Sequence, residues 1–162
     1  PGNSEQYLHT GNYVIFFRDI PGRRNYIERV ADDLAQDTFT LPIPKFGFGA
    51  PMGYVVTERL RRHGILTDAV HQLPQAMKLM NLNRLDGFVV DLYVGLAVLA
   101  TQSDAGNFAF SQGIILTEKW YVPFNRQFYL ANTRQVEAFW RHLPKFRKET
   151  EAQLARQWLP RQ

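Results

Sequence analysis

The chain has 162 residues, 45% of them hydrophobic and 14% aromatic, which fits one globular domain and excludes a disordered segment. Its net charge of +4 comes from dispersed basic residues rather than a stripe with interleaved aromatics, so no nucleic-acid partner is expected. With no cysteine anywhere, disulfides, thiolate metal sites and cysteine nucleophiles are excluded.

Pro1-Gly2-Asn3-Ser4 lacks the charged start and apolar stretch of a secretory signal and reads as a cloning remnant. Tyr13–Phe17 (YVIFF) is a continuous apolar run of strand length. Asp19-Ile20-Pro21-Gly22 breaks the chain, and Arg23–Leu34 then carries Tyr26, Ile27, Val30 and Leu34 at helical spacing. Phe39–Ile43 is extended and proline-punctuated, a connector or an edge strand. Lys45–Gly49 is a short strand running into the turn GFGAPMG, and Tyr54–His63 is an amphipathic helix stopped by Gly64.

Val70 begins a further short extended piece. Pro74 then sits where a first helical turn tolerates it, with Leu73, Met77 and Met80 on one face. Gly87–Val90 is a buried strand by length and β-branched content, and a helix follows over Leu92–Ala100. That helix holds the longest apolar run of the chain, far short of the roughly 20 residues of a membrane span. After a polar loop, Phe108–Phe110, Ile114–Leu116 and Lys119–Phe124 are strand-like. The tail is helical over Arg134–Leu143 and again over Lys148–Leu159, with Pro144 expected to separate the two. Strands alternating with helices of about ten residues predict an α/β domain built on a mostly parallel sheet flanked by helices.

Several features bear on chemistry. GFGAPMG joins a strand to a helix N-terminus, where backbone N–H groups attract anions. Gly47, Gly49 and Gly53 do not have dinucleotide spacing, and no Lys-Ser or Lys-Thr follows, so the turn is either a plain connection or a small-anion site. His9, His63, His71 and His142 show neither HxH nor HExxH spacing, and there is no G-x-S-x-G elbow. No metal, cofactor or catalytic residue is expected. Asp86 and Asp91 bracket the apolar strand. Asp86 suits a turn or an ion pair. Asp91 suits a helix N-cap, replaceable by Asn or Ser, but it also stands at the carboxyl end of a strand, where ligands bind in parallel α/β sheets.

The stretch MNLNRLDGFVVDLYVGL resembles the lobe-two signature of the type II periplasmic solute-binding proteins, the polar amino-acid-binding family. KFGFGAPMGYVVTERLRRHGI is similar to the strand, turn and helix that open lobe two, and KWYVPFNRQ to the strand returning to lobe one. LHTGNYVIFFRDIPGRRNYIERVADDL resembles the end of lobe one, with Ile20-Pro21-Gly22-Arg23 where that family carries Thr-Pro-Glu-Arg. The resemblance implies three parts: 1–38 as a remnant of lobe one, 39–122 as lobe two, and 123–162 as the return strand and C-terminal helices. Roughly 60–80 residues of lobe one have no counterpart, so the fold implied is of this type with lobe one truncated.

The same resemblance implies a non-catalytic binding or sensing module for a small polar, amino-acid-like ligand. It would serve a membrane transporter of the ABC type or a sensor in the bacterial periplasm, with the signal peptide lying outside this chain. The alternative is the effector domain of a cytoplasmic LysR-type transcription regulator. Residue by residue, Arg23 would hold a ligand carboxylate, the turn of Gly49, Ala50, Met52 and Gly53 would hold another polar group, and Asp91 would accept an ammonium. Asp86 would be structural, fixing the turn before the strand. A truncated lobe one would leave Tyr13–Phe17 and the aromatic faces of Phe139, Trp140 and Trp158 under-covered, which predicts a homo-oligomer.

Overall fold

The computed structural model describes residues 7–159, so Pro1-Gly2-Asn3-Ser4 lies outside the described residues. In chain order the elements are β1 (His9–Arg18), α1 (Arg23–Ala35), β2 (Phe48–Gly49), α2 (Val55–Arg62), α3 (Leu73–Asn81), β3 (Gly87–Asp91), α4 (Leu92–Leu99), β4 (Phe108–Phe110), β5 (Leu116–Trp120), α5 (Arg126–Ala131) and α6 (Thr133–Trp158). They divide into two compact units. One is Asn12–Thr117, and the other joins residues 7–11 with residues 118–159.

The 12–117 unit is an α/β layer structure. Its strands run in the order β2-β3-β1-β4, with β5 also pairing β1. Strand residues alternate strictly between two cores. Tyr13, Ile15, Phe17, Phe48 and Val89 pack with Ile27, Val30 and Leu34 of α1 and Val56 and Leu60 of α2. Val14, Phe16, Phe88 and Val90 pack with Leu73, Met77 and Met80 of α3 and Leu99 of α4. That is why YVIFF is apolar without interruption: both faces of β1 are covered by helices.

Several expectations are corrected here. The sheet is mixed rather than mostly parallel. β2 and β3 are parallel, with α2 and α3 forming the crossover between them, while β1 lies antiparallel to both β3 and β4. Tyr13–Phe17 is not under-covered, since all five residues are buried. β1 and α1 share a core with α2 and β3. Phe39–Ile43 is a connector, Val70 begins no strand, and residues 114–115 precede β5 rather than forming a strand.

In the other unit, Leu8 N–H donates to the Trp120 carbonyl at 2.6 Å. Phe124 meets Phe128, Phe139 and Trp140 at ring-centroid distances of 5.6–5.8 Å, and Tyr129 stacks on Trp140. Pro144 does not divide the tail, for α6 is one helix of 26 residues. An interior proline removes one hydrogen bond and costs about 3 kcal/mol. Contacts on both sides offset that: Val136, Trp140 and Leu143 are buried before it, and after it Arg147 Nη1 donates to the Tyr7 carbonyl at 2.7 Å. The extended segment expected over 119–124 is β5 over Leu116–Trp120 followed by coil, and α5 is a short helix that the sequence pattern does not signal.

Candidate ligand-binding site

The parallel strands β2 and β3 bring their carboxyl ends to the same side of the sheet, where β3 feeds directly into α4 and β2 reaches α2 through the turn 50–54. Gly49 ends β2 because nothing larger fits: a Cβ there would lie 2.7 Å from Val70 Cγ1 and 2.8 Å from Phe88 Cδ2. The turn that follows is tied down from beneath. Thr57 Oγ1 donates to the Pro51 carbonyl at 2.5 Å, and His71 Nδ1 lies 3.4 Å from the Ala50 carbonyl. Gly53 takes φ 79°, the left-handed conformation that turns the chain into α2. Ala50 is buried, while Met52, Gly53, Tyr54 and Val55 are exposed.

The two helix starts differ in one respect. At α4 the cap is complete, since Asp91 Oδ1 accepts from the N–H groups of Tyr93 and Val94, each at 3.1 Å. At α2 the capping position is Tyr54, whose side chain offers no hydrogen bond, so the first-turn N–H of the exposed Val55 has no side-chain cap, while Val56 is fully buried. An uncapped helix start carries partial positive charge and free donors, which favours an anionic group.

Asp91 is only 3% exposed. Its second oxygen, Oδ2, accepts from Asn12 N–H at 3.0 Å, so one carboxylate joins the end of β3, the start of α4 and β1. Tyr13 is its cross-strand partner, and directly opposed residues share a face of the sheet. The Tyr13 ring in turn meets the Tyr54 ring at 6.2 Å between centroids. The end of β3 and the start of α2 therefore stand side by side.

Asp86 does what the sequence suggested. Its Oδ2 accepts from Phe46 N–H at 2.7 Å and Gly47 N–H at 2.9 Å, which locks the chain entering β2 against the start of β3. Arg23 lies elsewhere. Its Nη1 reaches the Asp86 carbonyl at 3.5 Å and Asp86 Oδ1 at 3.9 Å, so it sits at the beginning of β3. Asp91 ends that five-residue strand, and at about 3.3 Å per residue the two are about 17 Å apart. Gly49, Ala50, Met52, Gly53 and Asp91 come together; Arg23 does not join them. Tyr13, Tyr54, Thr57 and His71 support the site and carry no signal in the sequence, because their roles depend on strand register and on the tight turn. Among the described residues, no three His, Asp or Glu side chains gather as a metal site, and no helix is long and apolar enough to cross a membrane.

No protein-family model matches the sequence, and no curated protein matches it. Solved structures do. A mutant of the arginine-binding protein ArgBP from T. maritima superposes with a TM-score of 0.62 at 16% identity, over 97% of this chain and 61% of that one. An ancestral arginine-binding protein bound to glutamine gives a TM-score of 0.61 at 16% identity, over 98% and 63%. The L-cystine solute receptor of Neisseria gonorrhoeae gives 0.54 at 18%, over 96% and 59%. The fold is that of the type II periplasmic solute-binding proteins. This chain spans about three-fifths of the length of those structures. The uncapped start of α2 and the neighbouring end of β3 lie beyond the carboxyl ends of the parallel pair β2 and β3.

Proposed function

We propose that the chain is a non-catalytic binding module for a small polar, amino-acid-like ligand, serving a membrane transporter or a sensor in the periplasm. The observation that carries this reading is the uncapped start of α2 at the carboxyl end of the parallel β2–β3 pair. There the exposed N–H of Val55 holds a ligand carboxylate, and Gly49, Ala50, Met52 and Gly53 shape the turn beneath it. Asp91 contributes in a different manner from a surface carboxylate. Held by three backbone donors, it fixes the wall of the site and supplies a buried negative charge that attracts an ammonium group through a low-dielectric interior. The solved structures named above include receptors for arginine and cystine, which supports an amino-acid-like ligand.

All the groups named come from one unit, so binding is expected to be weak. Millimolar affinity corresponds to about 4 kcal/mol, and calorimetry with arginine, glutamine and cystine should give dissociation constants no tighter than that. Saturable binding by at least one amino acid supports the reading; none at any accessible concentration contradicts it.

A further inference from the structure

At the opposite end of β3 from the ligand face lies a separate cavity of about 270 Å³ lined by Ile20, Pro21, Arg23, Tyr26, Ile27 and Asp86. Its volume is just under the about 300–1,000 Å³ typical of pockets for drug-sized molecules, which suits a smaller one. Its chemistry is divided. Ile20, Pro21 and Ile27 make an apolar wall, and the Arg23 side chain, 21% exposed, brings a positive charge to it.

Arg23 is under-used by the protein. Its only partner among the described residues is Asp86, and both contacts, at 3.5 and 3.9 Å, are made by Nη1. Nε and Nη2 have no acceptor there. Those two atoms form one edge of the guanidinium plane, the fork that matches the two oxygens of a carboxylate. Asp86 does not close this edge, since its Oδ2 is taken up by the N–H groups of Phe46 and Gly47. The Tyr26 hydroxyl donates to the Pro42 carbonyl at 3.0 Å, which holds its ring as a fixed wall. An unengaged bidentate edge beside an apolar wall selects for a charge and a hydrocarbon in the same molecule.

The geometry points to a second binding site, distinct from the ligand face, in which Arg23 pairs through Nε and Nη2 with the carboxylate of a small aliphatic acid whose hydrocarbon part lies against Ile20, Pro21 and Ile27.

The test is amide chemical-shift titration of the ¹⁵N-labelled chain with isovalerate, with 3-methylbutan-1-ol as the same hydrocarbon without charge and inorganic phosphate as charge without hydrocarbon. Isovalerate is expected to cause saturable shifts at residues 20–27 and 86–87, with the alcohol and phosphate each at least tenfold weaker. Arg23→Gln should weaken isovalerate binding at least tenfold, and Arg23→Lys, which keeps the charge and loses the planar fork, at least threefold. Since the Arg23 side chain is partly exposed, far-UV circular dichroism should show both variants folded. If either is not, the three-probe comparison on the wild type decides alone. The proposal is overturned by an absence of saturable shifts at residues 20–27, by phosphate or the alcohol binding as well as isovalerate, or by equal isovalerate affinity in Arg23→Gln. Shifts at residues 49–56 report on the ligand face, whereas those at residues 20–27 report on this second site, so the two fail separately.

Discussion

Replacing Asp91 by Asn separates a helix cap from a three-way structural tie. Asn is among the best N-capping residues, so a carboxylate that only capped α4 would be exchanged at little cost. Asp91, however, uses both oxygens. Oδ1 takes the N–H groups of Tyr93 and Val94, and Oδ2 takes that of Asn12 at 3.0 Å. Whichever way the Asn amide is turned, its NH₂ group faces at least one of these donors, and a buried donor left unmatched costs about 1–3 kcal/mol. Asp91→Ala removes the cap as well, adding about 0.5–2 kcal/mol. For a chain of 162 residues each kcal/mol lowers Tm by about 2–4 °C. Urea unfolding followed by far-UV circular dichroism should therefore rank wild type above Asp91→Asn and Asp91→Asn above Asp91→Ala. An Asp91→Asn midpoint equal to that of the wild type would refute the reasoning, because the bond to Asn12 would then contribute nothing.

Three other outcomes are expected. Gly49→Ala should destabilise the 12–117 unit by about 1–3 kcal/mol in the same assay, since the new methyl group meets Val70 and Phe88 inside contact distance; an unchanged midpoint would show that β2 shifts freely. Asp37 is held at a pKa of about 2, below its ordinary 3.8, chiefly by hydrogen bonds from Arg62 and then His63. Its contribution to stability is complete above pH 3.8 and disappears as pH falls through about 2. Asn also accepts the left-handed backbone of Asp37, so wild type and Asp37→Asn should differ in stability at pH 5 and converge near pH 2; a gap constant with pH would contradict this. Phe128, Leu130, Phe139 and Phe146 are exposed on α5 and α6, and sedimentation velocity should show concentration-dependent self-association, against which a clean monomer at high micromolar concentration would count.

Most of the 12–117 unit is legible in the sequence because its signals are local. YVIFF, GFVV and the spacing of Tyr26, Ile27, Val30 and Leu34 each specify an element from neighbours along the chain, and the structure has those elements. What is illegible depends on register and partners. Arg23 follows a turn that looks like a family motif, yet only the antiparallel pairing of Phe16 with Phe88 and Tyr13 with Asp91 shows that the end of β1 lies at the start of β3. The same pairing makes the sheet mixed, a property no single segment encodes. Asp91 is readable as a cap from its position before α4; its bond to Asn12, 79 residues away, is not. Pro144 obeys a local rule in the sequence, and Trp140, Leu143 and Arg147 override that rule through contacts made elsewhere.

The central claim is that the ligand is held at the carboxyl ends of β2 and β3. Amide chemical-shift mapping with millimolar arginine tests it most directly, each residue reporting its own position. The account predicts saturable shifts concentrated at Gly49, Met52–Val56 and Tyr93–Val94, with the exposed Val55 amide moving most. Saturable shifts confined to other parts of the chain, with these amides unmoved, would contradict it.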